Sequence, residues 1–138
     1  MGYEIKLFIG LATTQRGKNR DYSTTPPTEL GGERTYFMRY ATIDLCKLAY
    51  SGAFHAAMDS WKNTDPNHEW YAFSDDGNTH ITKDLYGERW VPQPISVVLE
   101  VLKKDAENDD YRRLKWAIAL LESMKDDDEN LSVWIYGH

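Results

Sequence analysis

The tightest constraint on this chain is the stretch 91–125, which carries two successive apolar stripes of helical period. In the first, Ile95, Val98, Leu99, Leu102 and Ala106 recur at i, i+3, i+4, i+7 and i+11, the spacing that aligns side chains on one face of a helix. Val97 and Val101 widen that stripe, while Glu100 and Lys104 can pair one turn apart on the wet side. Pro94 suits a first helical turn, where its missing N–H would have no partner anyway, so the helix is predicted to open there and to stop near residues 105–107.

Asn108 or Asp109 is the expected N-cap of a second helix, and Asp109 and Asp110 complement its dipole. Tyr111, Leu114, Ala117, Ile118, Leu121 and Met124 form its buried stripe. Trp116 and Leu120 add a second apolar strip, which predicts contact with more than one neighbour. Lys125 stands in the last turn, and the acidic run at 126–129 ends the helix. A partner-binding pair of helices would carry the same pattern, but a layer of the protein's own core is the plainer reading.

The rest of the chain supplies strands for that layer to cover. Ile5, Leu7, Ile9 and Leu11 alternate with Glu4, Lys6, Phe8 and Gly10, a period of two with one aliphatic side. In a second strand over 35–45, Phe37, Ala41, Ile43 and Leu45 are expected on one side and Tyr36, Met38 and Tyr40 on the other. Phe54, Ala57, Met58 and Trp61 predict a helix over 53–61 with Ser51 as its N-cap. Residues 70–74 and 79–83 read as a hairpin around Asp75-Asp76-Gly77-Asn78, residues that tolerate positive φ. A short strand at 89–91 and a last one over 131–136 complete the order. Strands and helices are mixed without βαβ alternation. The expected fold is a single α+β domain, an antiparallel or mixed sheet of about four to six strands with about three helices mainly on one face, including a C-terminal helical hairpin followed by a last strand.

A chain of 138 residues with 41% hydrophobic and 28% charged residues has the balance of one ordinary globular domain. No apolar run is long enough to span a membrane, and the N-terminal residues lack a secretory pattern. With one cysteine, Cys46, no internal disulfide can form, and a reducing, cytoplasmic setting is the simplest expectation. The net charge of −6 disfavours non-specific binding of nucleic acid.

Motifs that specify a reaction or a cofactor are absent from the sequence. The four histidines are scattered without ligand spacing, and one cysteine cannot build a thiolate site. The run at 126–130 resembles the start of a calcium loop but has Leu131 and Gly137 where the glycine and glutamate belong. Cys46 lacks a nucleophile signature. His80-Ile81-Thr82 is a single His-x-Thr unit, where phosphoester chemistry of that kind needs two converging on one phosphate.

Two surfaces remain. The loop at 13–33 gathers Arg16, Lys18 and Arg20, with Arg34 just beyond it, beside Ser, Thr and glycine residues, a composition suited to holding a phosphate or carboxylate. A plain solvated loop accounts for it equally simply. The second surface is aromatic: Phe8, Tyr36, Tyr40, Trp134 and Tyr136 fall opposite the aliphatic sides of their strands, and an open aromatic sheet face is the usual mark of an interface. The leading expectation is therefore a non-enzymatic interaction or regulatory protein that binds a protein partner or pairs with itself through this face. The alternatives are a binder of a small anionic ligand such as a nucleotide through Arg16, Lys18, Arg20 and Arg34, and a small hydrolase using His80 with a carboxylate from Asp75, Asp76 or Asp84.

Overall fold

The computed structural model describes residues 4–14, 33–47, 52–108 and 110–138. Its elements are β1 (Glu4–Thr14), β2 (Glu33–Lys47), α1 (Ala53–Met58) running into a 3₁₀ turn (Asp59–Trp61), β3 (His68–Phe73), β4 (His80–Ile81), β5 (Gln93–Pro94), α2 (Ile95–Ala106), α3 (Arg112–Asp127) and β6 (Ser132–Gly137). The strands form one six-stranded sheet in the order β4-β3-β2-β1-β6-β5. All pairs are antiparallel except β2 and β3, which run parallel because α1 carries the chain back between them. This is the expected α+β fold with a mixed sheet and a C-terminal helical hairpin before the last strand. Among the described residues no helix is long and apolar enough to cross a membrane.

The central ladder explains why the sheet has two different sides. Leu7 pairs with Ile43 and Ile135, and Ile9 with Ala41 and Val133, so one side is aliphatic. Lys6 pairs with Tyr136 and Phe8 with Trp134, which places those residues on the other. The aliphatic side joins Leu99, Leu102, Leu114 and Leu121 of the helical hairpin in one core. The two helices are joined by a Lys103–Glu122 ion pair at 3.2 Å, and the hydroxyl of Tyr111, the residue just before α3, donates to the Leu45 carbonyl of β2.

Three expectations need correction. A bulge leaves Tyr40 without a partner, since Ile9 pairs with Ala41 while Gly10 pairs with Arg39. One extra residue flips side-chain parity, so Phe37 lies across from Ala12 on the side of Phe8, and Tyr36 and Met38 lie on the side of Leu7. A side chain at Gly10 would collide with the backbone of Met38 and Arg39, which is why glycine stands beside the bulge. Next, α3 opens at Arg112 rather than 109–110, and Trp116, expected to meet a second neighbour, is 61% exposed. Finally, the α1 N-terminus is capped from a distance. Asp105 of α2 accepts from the Ala53 and Phe54 amides at 2.6 and 3.0 Å, and Gly52, at φ +139°, leaves room for that carboxylate. Ser51, the expected cap, lies outside the described residues, as does Asp109.

The aromatic side is not open. From Ile81 at the end of β4, three peptide steps reach Asp84, whose Oδ2 accepts from the Gly137 amide of β6 at 3.2 Å. Ile81 of β4 and Tyr136 of β6 moreover line one groove of about 150 Å³, although a flat sheet would hold strands four spacings apart at about 19 Å. The sheet therefore curls around its aromatic side. The connection from β4 to β5 closes it further: Trp134 Nε1 donates to the Trp90 carbonyl at 2.8 Å.

Candidate functional site

Curling brings side chains from four strands and the β3–β4 turn into one groove of about 150 Å³. Its floor is Phe8 of β1, with Tyr136 of β6 stacked beside it at 5.4 Å between ring centroids. Lys6 and Arg39 supply positive charge, Thr42 and Ser74 hydroxyls, and Ile81 an apolar wall. Arg39 is the best positioned of these. Its guanidinium carbon lies 4.6 Å from the Phe8 centroid, Nη2 donates to the Phe73 carbonyl at 3.4 Å, and the same nitrogen meets Asp75 Oδ1 at 2.5 Å. A guanidinium held over a ring is preorganised for a carboxylate or phosphate. Burial, then the nearby Asp84 carboxylate, raises the Tyr136 pKa above its ordinary value, so its hydroxyl stays protonated and able to donate.

Asp84 itself is structural. Its carboxylate accepts from the Tyr86 and Glu88 amides at 2.8 and 2.9 Å through Oδ1, and from Trp90 Nε1 and the Gly137 amide through Oδ2. A second cluster lies at the start of β3. Glu69, 1% exposed, meets Arg34 at 3.3 Å and Arg89 at 3.2 Å, with the Arg34 guanidinium 5.2 Å from the Tyr71 centroid. Arg34 thus answers an internal carboxylate, which accounts for its place without an external anion. Arg16, Lys18 and Arg20 lie outside the described residues.

His80 sits against the rings of Phe73 and Tyr71 at 4.6 and 5.8 Å, and its Nε2 is buried without a hydrogen-bond partner. Burial first, and the Arg34 charge second, hold its pKa below the ordinary value, so the imidazole is neutral at pH 7. The three carboxylates expected to serve it are engaged elsewhere: Asp75 with Arg39, Asp76 with Ser74 and the Asn78 amide, and Asp84 as above. The fold does not assemble His80 with any of them.

Of the aromatic residues expected at an interface, Phe8 and Trp134 are each 3% exposed, Tyr36 packs on Tyr71 and Phe73, and Tyr136 is half-buried. Only Tyr40, at 56%, stands mostly in solvent. For Phe8, Trp134 and Tyr136 the cause is the curl together with Trp90 and the β3–β4 turn, whereas Tyr36 lies on the other side of the sheet against the rings of β3. Lys6 and Arg39 were missed because neither stands out along the chain; register alone brings them together. Compared with known proteins, the chain matches no family model, no curated protein and no solved structure.

Proposed function

We propose that this is a binding protein whose groove receives one anionic group of a ligand, a phosphate or a carboxylate, between Lys6 and Arg39. The observation that carries the reading is the partner Arg39 already has. Asp75 comes from a turn, is 90% exposed, and places its carboxylate on a guanidinium that Phe8 and the Phe73 carbonyl hold in place. Asp75 is an internal stand-in for an external anion. An ion pair with so exposed a member is worth little by itself, about 0–1 kcal/mol, so displacement by a ligand is inexpensive. Volume sets the size of what enters. At about 150 Å³ the groove falls below the roughly 300–1,000 Å³ of sites that engulf whole drug-sized ligands, so it suits a single acidic group rather than an entire nucleotide.

The reading as a partner of another protein through the aromatic face has less support, since that face is largely filled by the chain's own residues. The test is titration with inorganic phosphate and with acetate, followed by amide and side-chain NMR shifts. Shifts at Lys6, Phe8 and Arg39 are expected, with Arg39→Ala and Lys6→Ala abolishing them. Asp75→Asn, which vacates the guanidinium, should tighten binding several-fold. No shift at these residues with either anion, or weaker binding by Asp75→Asn, would overturn the assignment.

A further inference from the structure

We propose that Glu4, Asp44 and His138 form a binding site for a divalent transition-metal ion of the zinc class. One ligand atom from each of the three lies within 4.8 Å of the other two. Strand pairing explains their convergence. Glu4 and His138 exchange two backbone hydrogen bonds, Glu4 N to His138 O at 3.1 Å and His138 N to Glu4 O at 2.9 Å, so they are directly opposed across the ladder with side chains on one side of the sheet. Lys6 pairs with both Asp44 and Tyr136, which brings Asp44 to that same side from the other neighbouring strand.

An independent observation singles out His138. Its Nε2 is sealed from solvent and makes no hydrogen bond, although it lies 3.5 Å from Asp44 Oδ1. A buried polar nitrogen without a hydrogen bond costs free energy that a bound ligand would recover. The separation has a meaning in coordination geometry. Metal–ligand bonds of about 2.0–2.2 Å at tetrahedral angles put neighbouring donor atoms about 3.4 Å apart. One imidazole and two carboxylates, with no thiolate, suit Zn²⁺ or Co²⁺, while Mg²⁺ and Ca²⁺ call for six or more oxygens. Three protein ligands would leave a fourth position open. Lys6, opposite Asp44 in the ladder, is the cation that would moderate the affinity.

The competing account is a simple ion pair between Asp44 and a protonated His138, for which added metal should do nothing. Metal-stripped protein is titrated with Co²⁺ and with Zn²⁺, each alone. Co²⁺ should give the intense visible bands of a four-coordinate site, Zn²⁺ should displace it and raise the melting temperature, and Mg²⁺ should do neither. His138→Ala and Asp44→Asn should abolish the bands, and Glu4→Gln should weaken Co²⁺ binding at least tenfold. The ladder bonds at Glu4 and His138 are main-chain bonds, so His138→Ala should melt like metal-free wild type and gives a reading even if Asp44→Asn fails to fold. A wild type without Co²⁺ bands, or a His138→Ala variant that binds as wild type does, would overturn the proposal.

Discussion

Asp84 shows how much one side chain can hold together. It sits in the turn after β4, yet its two oxygens accept four N–H groups, from Tyr86, Glu88, Trp90 and Gly137, and so tie the β4–β5 connection to the end of β6. Removing the acceptor leaves buried donors unpaired, at about 1–3 kcal/mol each where water cannot reach them. Asp84→Ala should therefore cost about 3–5 kcal/mol in denaturant unfolding, the range for breaking a buried charged network. Asp84→Asn should cost less, because its remaining oxygen still serves two of the donors. A loss under about 1 kcal/mol for the alanine variant would show that the connection is held by something else. None of this was legible in the sequence, where Asp84 is one acid among many. Three of its partners are local, but the fourth lies 53 residues away, and no periodicity records such a bond. The same holds for Asp105, which caps a helix 51–52 residues before it, and for Lys6 and Arg39, which strand register sets on one side of the sheet.

At the scale of elements, periodicity was a good guide wherever one face is buried and the other wet. The stripe of α2 reads Ile95, Val98, Leu99 and Leu102, all buried, and that of α3 keeps Leu114, Ala117 and Leu121 inside. It failed in two ways, each physical. The Tyr40 bulge adds one residue to β2, so a strict alternation through 35–45 assigns Phe37 and Tyr36 to the wrong sides. The outer strip of α3 is apolar in sequence but exposed at Trp116, because the hairpin has a covering layer on one side only. Stability should separate the two strips. Leu121→Ala removes a fully buried side chain and is expected to cost about 2–5 kcal/mol, whereas Trp116→Ala should stay within about 1 kcal/mol. Chemical denaturation of both variants decides the matter, and equal losses would mean that the layer is misread.

For the whole molecule, the decisive event is the curl of the sheet, which turns an aromatic face into an interior. Phe8 meets Trp134 edge-on at 6.4 Å between centroids, Phe37 meets Trp134 at 5.6 Å, and the indole N–H of Trp134 is satisfied by Trp90 within the same chain. A residue with its ring packed and its one donor used has nothing left to offer another subunit. Trp134→Glu would put a carboxylate where an indole lies 3% exposed, so loss of packing, at about 3–5 kcal/mol, is compounded by burying a charge. The variant should unfold outright. Tyr40→Glu, by contrast, changes a side chain already in solvent and should melt within about 0.5 kcal/mol of wild type. Sedimentation of the wild type should then give the 16.0 kDa mass of one chain, unchanged by Tyr40→Glu. A species of twice that mass that Tyr40→Glu converts to single chains, with the fold intact, would instead show that the remaining open edge of the aromatic residues mediates self-association. The two variants distinguish an aromatic face used as core from one used as interface, because only in the first case does folding fail at Trp134 while assembly is indifferent to Tyr40.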